Sequence, residues 1–355
     1  MNVRVLIVGA GISGLSAALS LQEAGVDVTV LEASHTVGGR MRTHRADDGA
    51  PLDLGATWFW PNEPRIQKLI SRFDIAAHQQ FRAGNARYHT GNGSEQLDGN
   101  PIDVPSGRFS TGAQSLPTQI AKRLARGTLL VDQPATSIRQ HRYDRSKLEV
   151  ASAQQTFEAD HVVVAVAPAL AHHNINFSGE LPVSMTEIMQ QTPVWMGDIT
   201  KVVARYREPF WRHEGWAGSA ISHHGPLREV HDMSGPQGHP AALFGFASAG
   251  TATQETVLEQ LGQLFGEEAK QPTDVLIQDW SAEQNITPPN ASSVQTYQTF
   301  GHPAYQTPSL DGRLHWASTE TSTMFPGHIE GALAAAERCV SAILNSQLPV
   351  MKEDT

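Results

Sequence analysis

The chain reads as an α/β protein: a discontinuous Rossmann-like nucleotide-binding domain with a smaller, interleaved α+β domain. Three observations predict this. Residues 3–31 form a strand–helix–strand unit, residues 156–166 hold a second apolar strand run, and strand-rich sequence resumes near Gly197 with no sharp boundary before it. A chain of 355 residues suffices for about two domains. Along the chain, VRVLIV at 3–8 is β-branched, LSAALSLQEA at 15–24 favours helix, Gly25 stops it, and VDVTVL at 26–31 alternates like a strand. Such a unit implies a parallel sheet. Helices are expected over 62–76, 113–126, 252–265 and Gly327–Leu344. Residues 84–112 look loop-rich with short strands. Strand pieces fall at 128–131, 135–140, 147–151 and Lys201–Tyr206, and Pro288-Pro289 marks a loop.

Composition narrows the function classes. Hydrophobic residues make up 40% and charged residues 17%, an ordinary globular mixture. A net charge of −10 argues against a nucleic-acid partner or a polybasic membrane binder. The one cysteine, Cys339, excludes an internal disulfide framework and a multi-cysteine zinc site, and fits a reducing, cytoplasmic setting. No run of about 18 apolar residues exists, so no membrane span is expected. Sixteen histidines include no HExxH pair, and no metal is expected. Neither a P-loop nor a GxSxG elbow occurs.

The strongest local signal is GAGISG at 9–14. It follows a strand, opens a helix, and leads to Glu32 at the end of the next strand. Gly9 permits the tight turn, Gly11 admits a pyrophosphate to the backbone, and Gly14 lets helix and strand approach. The free N–H groups of Ile12, Ser13 and Gly14 would face the phosphates. Glu32 can accept hydrogen bonds from an adenosine ribose, with Ala33 beside it; an acid here disfavours NADP. FAD and NAD both remain open on these residues alone. Arg40 and Arg42, on a glycine-flanked loop after Gly39, could neutralise a pyrophosphate or enter a surface salt bridge.

Five blocks resemble the FAD-dependent amine oxidases, in that family's order. They are Glu32…Gly38-Gly39-Arg40, Asp53-Leu54-Gly55-Ala56-Thr57-Trp58, Lys201-Val202-Val203-Ala204-Arg205-Tyr206 with Pro209-Phe210-Trp211, Ser318-Thr319-Glu320-Thr321, and Pro326-Gly327-His328-Ile329-Glu330-Gly331-Ala332. The resemblance implies FAD, with residues 1–76, 107–190 and 284–345 as the FAD-binding domain and 77–106 with 191–283 as the substrate domain, before a tail at 346–355. It places Gly55, Ala56, Thr57 and Trp58 beside the flavin, Ala135 at the adenine, and Glu320 near the ribityl–pyrophosphate region. It puts Ile329 at the mouth of a helix whose dipole would stabilise a reduced ring. Lys201 matches the family lysine that holds a water near flavin N5; the alternative is an exposed lysine at a strand end. His328 is a candidate proton carrier or simply a helix-start residue.

The sequence departs from the family at three places. Where some members attach FAD through a cysteine after a Trp-x-x-Glu stretch, Trp280-Ser281-Ala282-Glu283 leads only to Pro289, so non-covalent FAD is expected. The two positions of the aromatic substrate cage hold Asn290 and His328. The large helical insertion of the substrate domain is reduced to residues 77–106, and a second copy of the chain in a homodimer could close the pocket. The expected reaction is amine oxidation by hydride transfer to flavin N5, with O2 as acceptor and H2O2 released. The alternatives are a flavoenzyme acting on a non-amine small molecule or taking NAD(P)H as donor, and a non-catalytic FAD-binding scaffold.

Overall fold

The computed structural model describes residues 3–289 and 297–347. The chain divides into two compact units: Met1–Gly39, Leu116–Trp195 and Ser292–Thr355, and then Arg40–Ser115 and Met196–Ala291. Residues 40–76 and 107–115, which the sequence reading groups with the nucleotide-binding part, cluster with the second unit.

In the first unit, the strand Arg4–Val8 sits inside a five-stranded parallel sheet. The order is Leu129–Leu130, Asp27–Leu31, Arg4–Val8, His161–Val164, Leu314–Trp316. Val5, Leu6, Ile7, Val162, Val163 and Val164 are buried, as a sheet covered on both faces requires. The helix Ile12–Glu23 covers it and packs on the final helix Ile329–Ser346. Residues 156–166 do not form one strand. The chain breaks at Asp160, whose carboxylate accepts the Arg4 N–H at 2.8 Å, so Thr156–Ala159 joins a three-stranded antiparallel sheet while His161–Val164 enters the parallel one. Cys339 is packed inside the final helix; burial pushes its thiol up to about 11.

The second unit is built on a seven-stranded sheet. Its order is Asp274–Asp279, Ile199–Tyr206, Ala241–Ser248, Leu227–Asp232, Trp216–Ser222, Asn85–Thr90, Gly93–Leu97. All its pairs are antiparallel except Trp216–Ser222 with Asn85–Thr90. The region expected to be loop-rich with short strands supplies two strands at one edge. Polar side chains at Asn85, Arg87, Glu95 and Gln96 mask the alternation there. The helix Gln254–Phe265, opened by a Thr253 capping box, packs Val257, Leu261 and Leu264 on one face. The other face carries Val203, Ala242 and Phe244 against Leu52 and Trp58. No described helix is long and apolar enough to cross a membrane.

His315, on the last strand of the parallel sheet, lies 3.2 Å from His161 through facing ring nitrogens. Burial, then the neighbouring His161 and Arg338, pushes its pKa down to about 3. The unfolded chain binds a proton there below about 6.5 that the folded chain refuses, so stability falls as pH drops from about 6.5 toward 3. Urea unfolding at pH 7 and pH 5 is expected to show a lower midpoint at pH 5. His315→Gln is expected to shrink that difference.

Candidate functional site

The first unit places the dinucleotide turn as the spacing predicts. Gly9 has φ 101°, and a Cβ on Gly14 would collide with the Gly9 carbonyl, so helix and strand touch backbone to backbone. Gly11 is the N-cap; it is extended, offers no side-chain cap, and has open space where a Cβ would stand. The first-turn N–H groups of Ile12, Ser13 and Gly14 thus form an uncapped helix mouth. The Ser13 hydroxyl donates to the Ala317 carbonyl. The Glu32 carboxylate accepts from Ala10 N at 2.7 Å and Ser34 N at 2.9 Å, which fixes it at the strand end. Each oxygen keeps a lone pair for a ribose hydroxyl. Ala33 is half-buried beside it, and Gly38 N reaches the Ala10 carbonyl at 2.9 Å, bringing Gly39 to the turn. Gln133 N donates to the Glu32 carbonyl, which sets Ala135 at the start of its strand close by. An uncapped helix mouth with an unobstructed approach at Gly11 and an anchored acid fits the diphosphate and ribose of FAD.

The C-terminal block lies in the same unit. Glu320 is fully buried and accepts Trp195 N at 3.0 Å. His328 is the N-cap of the final helix and caps nothing with its side chain; Ile329 is its first, buried residue. The Thr319 hydroxyl accepts Gly327 N and donates to the His328 carbonyl, which fixes this helix mouth. Asn290 lies outside the described residues.

The second unit holds Lys201. It is 1% exposed, so it is not a strand-end surface lysine. Its Nζ donates to the Gly55 carbonyl at 2.8 Å and to Thr57 Oγ1, and stands 4.3 Å from the Phe244 ring centroid. Gly55 must be glycine, because a Cβ would strike the Arg40 carbonyl; Ala56 N and Arg40 O bond at 2.9 Å across the same crossing. Burial pushes the Lys201 ammonium down to about 7, with Asp53 opposing and Arg108 reinforcing that fall. Trp58 donates to Gln80 at 2.8 Å and packs on Phe244, Phe246 and His231. The Arg42 guanidinium is engaged by Glu283 at 2.5 and 2.9 Å and by Gln278 at 3.0 Å, over the Trp280 ring. Arg40 belongs to this unit as well.

Sequence reasoning missed several groups here. His231 Nδ1 bonds Asp103 at 2.7 Å, and its Nε2 lies 3.4 Å from Glu229. Burial works against its charge, but those two carboxylates outweigh it and raise its pKa. Asp232 accepts from Trp211 Nε1 at 2.8 Å, from Arg212 twice at 2.9 Å, and from Ser234 N at 2.7 Å. No motif announces these pairs; sheet register makes them. Among the described residues, no cluster of three or more histidine, cysteine or acidic side chains could hold a metal.

The family model described as flavin containing amine oxidoreductase matches residues 12–111 and 106–344, two stretches that meet at 106–111. Flavin-containing amine oxidase B of Sus scrofa is 26% identical over 99% of this chain and 88% of that protein. Its alignment runs over 465 positions, of which 355 residues can fill no more than 355, leaving at least 110 without a residue of this chain. A probable flavin-containing monoamine oxidase A of Dictyostelium discoideum is 25% identical over 97% of this chain and 99% of that protein. Among solved structures, putrescine oxidase bound to putrescine superposes with a TM-score of 0.84 at 20% identity, covering 97% of this chain and 99% of the other. Cyclohexylamine oxidase from Brevibacterium oxydans gives 0.84 at 21%, covering 98% and 99%.

Breaking the Asp232 network tests how the second unit is held. Asp232→Ala leaves Arg212 and the Trp211 indole without their acceptor, and is expected to cost about 3–5 kcal/mol in urea unfolding.

Proposed function

The chain belongs to the family of flavin containing amine oxidoreductases, and from that premise we propose that it binds FAD non-covalently and oxidises an amine, with O2 as final acceptor and hydrogen peroxide as product. The observation that carries this reading is the family match from residue 12 to residue 344, joined to the burial of Lys201. FAD, when bound, supplies the two-electron acceptor. The helix mouth at Ile12, Ser13 and Gly14 would hold the diphosphate, and Glu32 the ribose. Lys201 handles the water and proton at the reacting centre. Gly55 and Thr57 orient its Nζ, and Trp58 with Phe244 and Phe246 keeps water from its surroundings. The final helix, opened at His328 and Ile329, would offer its positive end to the flavin. Cys339 is buried and bonded to the Trp316 carbonyl, which supports a cofactor held without a covalent link. The break of the family match at 106–111 supports a shortened substrate part.

The purified protein is expected to show a flavin spectrum, and acid precipitation is expected to leave the colour in the supernatant. Colour retained in the pellet contradicts non-covalent binding. Glu32→Ala is expected to weaken FAD retention about tenfold. Lys201→Met is expected to keep FAD and slow reduction by amine about 100-fold. Peroxide release across a panel of amines tests the substrate class. Bleaching by NADH or NADPH without air, with no amine turnover, favours the donor-dependent alternative, and bound flavin with no turnover at all favours the scaffold.

A further inference from the structure

One face of the seven-stranded sheet carries a polar group at each end of an aromatic strip, and the register sets it out. Lys201 pairs with Phe246 and Phe246 with Glu229, so the three side chains stand in one row. Two strand spacings separate Lys201 from Glu229, about 10 Å between backbones. In the next row Phe244 pairs with His231. Lys201 Nζ stands 4.3 Å from the Phe244 ring centroid and 5.6 Å from that of Phe246. The half-buried Trp58 borders the strip, its ring centroid 5.0 Å from His231, 5.1 Å from Phe244 and 6.5 Å from Phe246. All these residues belong to the second unit.

The end remote from Lys201 holds a donor beside an acceptor. The His231 side chain is 5% exposed, and each ring nitrogen faces a carboxylate oxygen: Nδ1 meets Asp103 at 2.7 Å and Nε2 meets Glu229 at 3.4 Å. A neutral ring would set a lone pair against one of them, so the ring is an imidazolium with N–H on both sides. Asp103 is taken up by this clamp, since it also accepts from the Ser219 hydroxyl and from Asn100 Nδ2 at 2.8 Å. Glu229 is not: its side chain is 44% exposed. The Nε2 contact with it falls short of hydrogen-bond geometry, which leaves Nε2 a buried donor without a hydrogen-bond acceptor. Such a donor costs free energy until an acceptor reaches it.

We propose that this end of the strip recognises a hydroxyl, so that the substrate is an amino alcohol whose hydroxyl lies remote from the reacting carbon. The hydroxyl accepts from His231 Nε2 and donates to Glu229. The amine lies toward Lys201, and Phe246 with Trp58 flanks the carbons between. This rests on the amine-oxidising reading above. Charge chooses among the alternatives. A second ammonium would meet Glu229 but stand against the imidazolium. A carboxylate would meet the imidazolium but stand against Glu229. A methyl end would cover both groups and pair neither, at the desolvation cost of each. A neutral group that both donates and accepts satisfies the two together. The pKa of His231 agrees in sign: burial works against its charge, and the two carboxylates outweigh burial and raise it.

The test compares an ω-amino alcohol with the alkylamine and the α,ω-diamine of equal chain length, over a series of lengths. Two readouts are taken: the second-order rate of flavin reduction without air, and calorimetric binding to Lys201→Met, whose reduction is slow. The amino alcohol is expected to exceed both others about tenfold in each readout at its best length. Glu229→Leu is expected to remove that advantage and to favour the alkylamine. His231→Gln is expected to remove it as well; should that variant fail to fold by far-UV circular dichroism, Glu229→Leu, at a half-exposed position, decides alone. A loss that falls equally on all three amines marks a structural role and overturns the proposal. Preference for the diamine overturns it too, as does parity between alkylamine and amino alcohol. Tighter, Glu229-dependent binding of the amino alcohol without reduction by any amine upholds the recognition and removes the amine-oxidising reading. Reduction by all three without preference does the reverse.

Discussion

A primary amine taken almost wholly out of water is the constraint on which the second unit is arranged. An isolated ammonium in such a place is costly, so the surrounding backbone has to present oxygens to it. The loop after Asp53 does so. Gly55 turns its carbonyl toward Nζ only because Arg40 crosses at backbone distance, and that crossing forbids any side chain at position 55. The strand carrying Lys201 is the second from one edge of the sheet, paired on both sides with Ala241–Ser248 and Asp274–Asp279, and the lysine is 1% exposed. Burial and rigid placement thus have one origin, the packing of the loop on the sheet.

The first unit meets the opposite problem. Its helix mouth presents donors with no protein acceptor for a side-chain cap, and burying such a terminus would be unfavourable without a ligand of negative charge. Glu32, at the end of the next strand, is held by two backbone N–H groups. The first unit therefore holds an uncapped helix mouth beside an anchored acid, and the second a buried amine.

What could be read from the chain follows the range of the interactions. The turn at residues 9–14 and the acid at 32 were legible because their geometry is written within one strand–helix–strand unit. Lys201 was legible only through the family resemblance, which left an exposed lysine at a strand end as the alternative. Arg42 was recognisable as a loop cation, but its partner Glu283 stands 241 residues away and nothing local points to it. The pairs His231 with Asp103 and Arg212 with Asp232 were invisible for the same reason: a sheet of seven strands drawn from distant segments decides who meets whom. The single strand expected at 156–166 failed on one residue, Asp160, whose carboxylate bonds backward to the first strand and parts two sheets.

Cys339 carries a consequence of its own. It is the chain's sole thiol, it lies 2% exposed, and burial holds it near 11. At neutral pH almost none of it is thiolate, the form that oxidants and alkylating agents attack. Neither sulfenic acid nor a mixed disulfide has an easy point of entry while the fold is intact. The protein's sulfur chemistry is therefore latent, and labelling of this position by a maleimide would report unfolding of the final helix, not the redox state of its surroundings.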